Sequence, residues 1–163
     1  MTVIRHTLLL PIAAAPDPAG IGLRIWEGTP LEVGGVRALA AACRACPAGG
    51  PVLRPEGLLG ELRSRPGRHV AAWLAVDGLE DAAGRGDRGL SALGLITLVD
   101  AAGRFSIGWL VVHPEWRRRG IARALVAMAA AAAESRGATS LAADTLSAWP
   151  AAGAFWGALA ANR

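Results

Sequence analysis

Between residues 70 and 157 the sequence changes its hydrophobic period in an order that few folds accept. Val70–Val76, Leu90–Val99 and Phe105–Val112 are short apolar runs, separated by a Gly-, Asp- and Arg-rich stretch at 77–89 and by a turn at Asp100–Gly103. They read as three consecutive strands of an antiparallel meander. After Pro114 the pattern becomes helical over 119–136, returns to a strand at Thr139–Thr145, and ends in a helix from about Pro150. Strand, helix and strand at this spacing form a right-handed parallel crossover. The expected fold class is therefore α/β, a mixed sheet in which an antiparallel meander leads into a parallel βαβ crossover.

Upstream, residues 7–12 read as a short strand and Pro16–Gly22 as a linker, with Leu23–Trp26 as the first strand of the domain proper. Thr29, Pro30 and Glu32 have the order of a helix start, and the Ala-rich helix they open ends before Pro47. A second helix is expected from Pro55 to Arg63, stopped by Pro66 and Gly67. A chain of 163 residues is one domain's worth. We divide it into an N-terminal segment, 1–22, holding an edge strand and linker, and a domain over 23–163.

Hydrophobic residues make up 53% of the chain, so a membrane span has to be considered. The longest uncharged stretch, Thr145–Asn162, is shorter than the roughly 20 apolar residues a span needs, and Pro150, Gly153 and Gly157 interrupt it. The apolar run Leu8–Ala15 after Arg5 and His6 imitates a secretory signal but is broken by Pro11, so a cytoplasmic location is expected. The net charge of +4 comes from arginine alone, with no Lys, Gln or Tyr in the chain. That skew reflects composition more than a polyanionic partner, and no aromatic interleaving accompanies the basic clusters, so no nucleic acid is expected. Cys43 and Cys46 form a lone C-x-x-C without further ligands, and His6, His69 and His113 are scattered. A metal site is not expected.

The chemistry concentrates in Val111-Val112-His113-Pro114-Glu115-Trp116-Arg117-Arg118-Arg119-Gly120-Ile121-Ala122-Arg123. A strand runs into a turn whose Gly120 and Ala122 carry almost no side chain, and the helix that follows opens with unclaimed amide N–H groups. Those donors and the positive helix end suit phosphate. Small residues let a diphosphate approach the backbone, and Arg117, Arg118, Arg119 and Arg123 surround it with charge. The absence of G-K-S/T argues against a P-loop, and the absence of an early G-x-G-x-x-G against a dinucleotide fingerprint.

The run Arg117-x-x-Gly120-x-Ala122, preceded by V-x-P and set between strand and helix, resembles the acyl-CoA signature Q/R-x-x-G-x-G/A of GNAT acetyltransferases. The likeness is strongest over 105–157 and looser back to residue 23. It implies that acetyl-CoA is the acyl donor, that the backbone of Leu110, Val111 and Val112 holds its pantetheine arm, and that Arg118, Arg119, Gly120, Ile121, Ala122 and Arg123, with Arg117 beside them, hold its pyrophosphate. It implies an oxyanion donor among the amides of Val111 and Val112, and transfer of acetyl to the amine of a small molecule or peptide. The family's pattern N-x-x-A-x-x-F/L-Y is replaced by Trp149 to Trp156, with Trp149 for Asn and Trp156 for the acidic Tyr. Indole N–H donates a hydrogen bond but is no acid near neutral pH. A non-catalytic CoA-binding or regulatory domain is therefore the alternative. Ser106, Glu115 and Asp144 are loose candidates for a base, His113 reads as turn chemistry, and no catalytic residue is assigned. The family adds one or two strands after the last helix, where this sequence has none. Residues 7–12 or the partner in a homodimer are expected to complete that edge of the sheet.

Overall fold

The computed structural model describes residues 2–12, 21–26, 33–43, 56, 57, 60, 62, 65–77 and 92–161. Its elements are β1 (Val3–Leu9), β2 (Ile21–Trp26), α1 (Val33–Ala42), β3 (Arg68–Asp77), β4 (Ala92–Ala101), β5 (Arg104–Val112), α2 (Ile121–Glu134), β6 (Ser140–Leu146) and α3 (Pro150–Ala161). The strands form one sheet in the order β1-β6-β5-β4-β3-β2. The expected meander is β3-β4-β5, antiparallel throughout, and β5-α2-β6 is the parallel crossover. Of the helix expected at 55–63, Glu56, Gly57 and Gly60 are described as helical and Leu62 as part of a turn; the rest of it, like Cys46 and residues 78–91, lies outside the described residues.

Burial explains the layering. All of Ala92–Val99 is buried, which marks β4 as a central strand covered on both faces. One face packs on α2 and α3 through Ile96, Leu98, Phe105, Ile107, Leu125, Ala129 and Trp156. The other packs on α1, where Leu39, Ala40 and Cys43 meet Leu95 and Val111. Helix α2 buries Ile121, Ala124, Leu125, Val126, Ala129, Ala130 and Ala133, an apolar stripe with helical spacing. Its C-terminus closes with the bonds Gly137 N–H to Glu134 O at 2.8 Å and Ala138 N–H to Ala133 O at 3.1 Å, which end the helix at Glu134, two residues before the expected 136.

The C-terminal edge is completed from the other end of the chain. β1 pairs antiparallel with β6 from Val3↔Leu146 to Leu9↔Ser140. The strand thus begins four residues earlier than the sequence pattern suggested and stops at Leu9. Leu10 N–H still reaches Thr139 O at 3.0 Å, but Pro11 has no N–H to continue the ladder. Leu8, fully buried against the α3 side, fixes the register, because a one-residue slip would turn it to solvent.

Arg5 and Asp144, opposite one another in this ladder, form a two-pronged ion pair with Nε and Nη2 each 2.8 Å from a carboxylate oxygen. The hydrogen bonds from Arg5 hold the Asp144 carboxyl below its ordinary range. A depressed carboxylate contributes stability that is full above its unfolded-state range and is lost as pH falls below that range and through its lower folded-state value. The side chains are 70% and 42% exposed, so Asp144→Asn is expected to cost only about 0.2–1 kcal/mol at pH 7. Thermal melts of both proteins are expected to converge at acid pH.

Candidate functional site

β5 carries the irregularity from which the site is built. Its register with β4 runs Gly94↔Val112, Leu95↔Val111 and Ile96↔Leu110, then jumps to Leu98↔Ile107. Thr97 therefore faces two residues, Gly108 and Trp109, in a β-bulge. The fully buried Thr97 hydroxyl accepts the Trp109 N–H at 2.7 Å and fixes the bulge. A bulge bends its strand and strengthens the local twist. Accordingly the parallel ladder with β6 comprises Ser106↔Ala142 and Ile107↔Ala143 alone among the described residues. Beyond it β6 stays paired with β1 as far as Leu146, while β5 leaves, and a split opens at the carboxyl ends of the two parallel strands. Open α/β sheets bind ligands at such places.

The main-chain groups facing this split follow from alternation along the strand. His113 N–H donates to Leu93 O at 2.8 Å, towards β4. Successive residues point their main-chain groups to opposite sides, so those of Val111 also face β4 and those of Leu110 and Val112 face the split. Val112 O is engaged there by Arg117 Nε at 3.2 Å and by Cys43 Sγ at 3.5 Å. Of the three residues singled out from the sequence, Leu110 and Val112 thus present backbone to the opening, and Val111 is buried on the α1 side.

A 3₁₀ turn at Pro114–Trp116 carries the chain from β5 to α2, and His113 Nδ1 accepts the Glu115 N–H across it at 3.3 Å. Arg118 (φ 65°) and Gly120 (φ 86°, ψ −11°) then adopt left-handed conformations on either side of Arg119. Such bends turn successive N–H groups to one concave side. The first helical bond is Ala124 N–H to Gly120 O at 3.1 Å. No side chain caps the start of α2, and the amides of Arg118 to Arg123 have no acceptor among the described residues.

Ile121, 1% exposed, anchors the helix start in the core, while Arg117, Arg118, Arg119, Gly120 and Arg123 are exposed. The Arg119 guanidinium stacks over Trp116 at 4.7 Å. No carboxylate pairs with any of the four arginines among the described residues. Open amides, a positive helix end and unneutralised guanidinium groups converge, so the site fits a diphosphate and repels a bare cation. Among the described residues no group of His, Cys, Asp and Glu has the form of a metal site.

The other candidates lie as follows. Ser106 is half-buried on β5 beside Ala142, Glu115 is exposed in the 3₁₀ turn, and Asp144 is bound to Arg5. Trp156 is 5% exposed and stacked edge-on against Phe155 at 5.0 Å, a core residue. Sequence reasoning missed Thr97 and the bulge. The signal was Gly108, an isolated glycine inside an apolar strand.

The chain matches the model of the Acetyltransferase (GNAT) family over residues 59–159. No curated protein sequence matches it. Among solved structures it is similar to a GCN5-related N-acetyltransferase from Sphaerobacter thermophilus, with a TM-score of 0.61, 23% identity, and coverage of 88% of this chain and 42% of that one. It is similar to the ribosomal-protein-S18-alanine N-acetyltransferase from Escherichia coli, at 0.60 and 14%, covering 85% and 76%. A third is AAC(6')-Iy in complex with a CoA-based bisubstrate analogue, at 0.56 and 20%, covering 85% and 88%. At these identities the likeness establishes the fold. The chain spans less than half the length of the Sphaerobacter protein.

Proposed function

The chain belongs to the GNAT acetyltransferase family, and on that premise we propose that it is an acetyl-CoA-dependent N-acetyltransferase acting on a primary amine of a small molecule or peptide. The observation that carries the reading is the unclaimed row of amides from Arg118 to Arg123, lying one turn beyond the open edge of β5. In this reading residues 23–163 are the acetyltransferase domain, extended by Ile21 and Gly22, which begin β2 instead of ending a linker, and β1 closes the edge of its sheet. No described helix is long and apolar enough to cross a membrane.

Bound acetyl-CoA supplies an activated acetyl thioester. Arg118, Arg119, Gly120, Ile121, Ala122 and Arg123 hold its pyrophosphate by amides and charge, with Arg117 tied to Val112 O at their rim. Leu110 pairs with the pantetheine amides as a further strand would, because Val112 O is already engaged by Arg117 and Cys43. The Val112 N–H, turned into the split, is the donor for the oxygen that becomes negative during transfer, whereas Val111 packs behind it. Aimed donors of this kind supply much of the stabilisation in acyl transfer.

A second reading, a CoA-binding regulatory domain without turnover, is favoured by one observation: an indole buried in the core, Trp156, stands where the family places its acid. Calorimetric titration with acetyl-CoA, followed by a screen of amines with thiol release as the signal, separates the two. Binding with turnover supports the transferase, binding without turnover across a broad amine panel supports the regulatory domain, and no binding contradicts both.

A further inference from the structure

Among the described residues three large apolar side chains are exposed, Val3 at 59%, Ile4 at 41% and Leu9 at 58%, and all three lie on β1, the end strand of the sheet. The same strand has a free row of main-chain groups. The bonds Leu10 N–H to Thr139 O at 3.0 Å and Ser147 N–H to Thr2 O at 2.9 Å continue the β1–β6 register at either end and fix which residues face β6. Even-numbered residues exchange bonds with β6, so the N–H and C=O groups of Val3, Arg5, Thr7 and Leu9 point away from the sheet. Natural edge strands are blunted against such pairing by a proline, a bulge, a short length or an unpaired charge. β1 has none of these: its register with β6 runs unbroken over seven residues, and its one arginine is paired with Asp144.

We propose that β1 pairs antiparallel with β1 of a second copy of this chain, about a two-fold axis at His6, and so joins the two six-stranded sheets edge to edge. The pairing does not depend on whether the chain binds acetyl-CoA, because the split between β5 and β6 lies on the other side of β6.

The residues of β1 select a copy of the strand as its occupant. About that axis Val3 stands opposite Leu9 of the partner subunit, Ile4 opposite Leu8 of the partner subunit and Arg5 opposite Thr7 of the partner subunit. Each exposed apolar residue therefore meets an apolar one, and cross-strand pairs of this kind are what stabilise a sheet. Odd residues fall opposite odd residues, so the outward N–H and C=O groups of all four exchange bonds along the whole strand. Sliding the strands shortens the ladder in either direction, and in one of them it puts Arg5 against Arg5 of the partner subunit. Any strand satisfies main-chain groups; the simultaneous match at Val3, Ile4 and Leu9 singles out a copy.

Sedimentation equilibrium of the full chain tests the pairing. The unaltered chain is expected to be a concentration-dependent dimer whose melting temperature rises with concentration. Thr7→Pro removes an outward N–H and no bond to β6, and proline is tolerated on an edge strand where the N–H faces solvent. It is expected to weaken the dimer by at least about tenfold, while the chain melts as the diluted unaltered chain does. Leu9→Lys leaves the backbone intact and alters an exposed side chain, with an expected loss of roughly tenfold. His6→Cys places two thiols at the axis with Cα atoms about 4.5 Å apart, within reach of a disulfide. A reducible covalent dimer is expected from it and neither from the unaltered chain nor from Val3→Cys, whose two copies stand at opposite ends of the ladder. An unaltered chain that stays monomeric up to about 1 mM would overturn the proposal. So would a dimer equally tight in Thr7→Pro and Leu9→Lys, or a disulfide in Val3→Cys without one in His6→Cys.

Discussion

Replacing Gly120 by glutamate is expected to reduce CoA affinity by at least about 100-fold, close to loss of measurable binding, while the chain stays folded. Two effects act together. Gly120 sits at φ 86° immediately before α2, a conformation that costs a residue with a Cβ roughly 1–2 kcal/mol. More important, the new carboxylate stands at the mouth of the amides of Arg118 to Arg123, among arginines that have no other anion among the described residues. It competes for the donors and repels the diphosphate, and like charges brought together across an interface cost several kcal/mol. Gly120→Ala separates the two effects: it keeps the strain without the charge and is expected to lose far less affinity. Titration with CoA, alongside a melting curve for each variant, measures both. Unchanged affinity in Gly120→Glu removes the site from where it has been placed.

The second large effect is expected at Gly94, opposite Val112 on β4. A Cβ built there would stand 3.1 Å from Ile121 Cγ2, from Leu125 Cδ1 and from Val111 O. The two side chains can shift, but the carbonyl is held in the β4–β5 ladder. Gly94→Val adds two further methyl groups to a space without room for the first. Overpacking of this kind is expected to cost about 2–3 kcal/mol and to lower the melting temperature by roughly 5–10 °C. Because Ile121 is the first residue of α2, relief of the clash also displaces the amide row relative to the edge of β5. CoA affinity is therefore expected to fall together with stability. A melt shifted by less than a degree would show that the close approach of α2 to β4 is not as described.

These two glycines show what a single sequence discloses. The helix start behind Gly120 was legible because its signals lie next to one another in the chain: a strand end, four arginines and the onset of a helical period fall within a dozen residues. The strands and helices from 68 to 161 were legible for the same reason, since each carries its own period. Gly94 looked like any glycine in an apolar run, because Ile121 and Leu125 reach it only through the crossover. The bulge was hidden likewise. It depends on Thr97 meeting Trp109 across the ladder, and only Gly108 hinted at it. The edge strand was placed by its apolar residues at 7–12, but register and the Arg5–Asp144 pair, 139 positions apart, draw it to Val3–Leu9. Pairing partners of that kind are a property of the folded sheet.

The account depends on backbone amides at the start of α2 meeting the linked phosphates of CoA, and nitrogen-15 spectra of the labelled chain during titration with CoA observe those amides directly. The resonances of Arg119, Gly120, Ile121 and Ala122 are expected to move most, in step with calorimetric binding, with smaller changes at Leu110 and Val112 and little along β2. Saturable binding of CoA that leaves the amides from Arg119 to Ala122 in place would contradict the account.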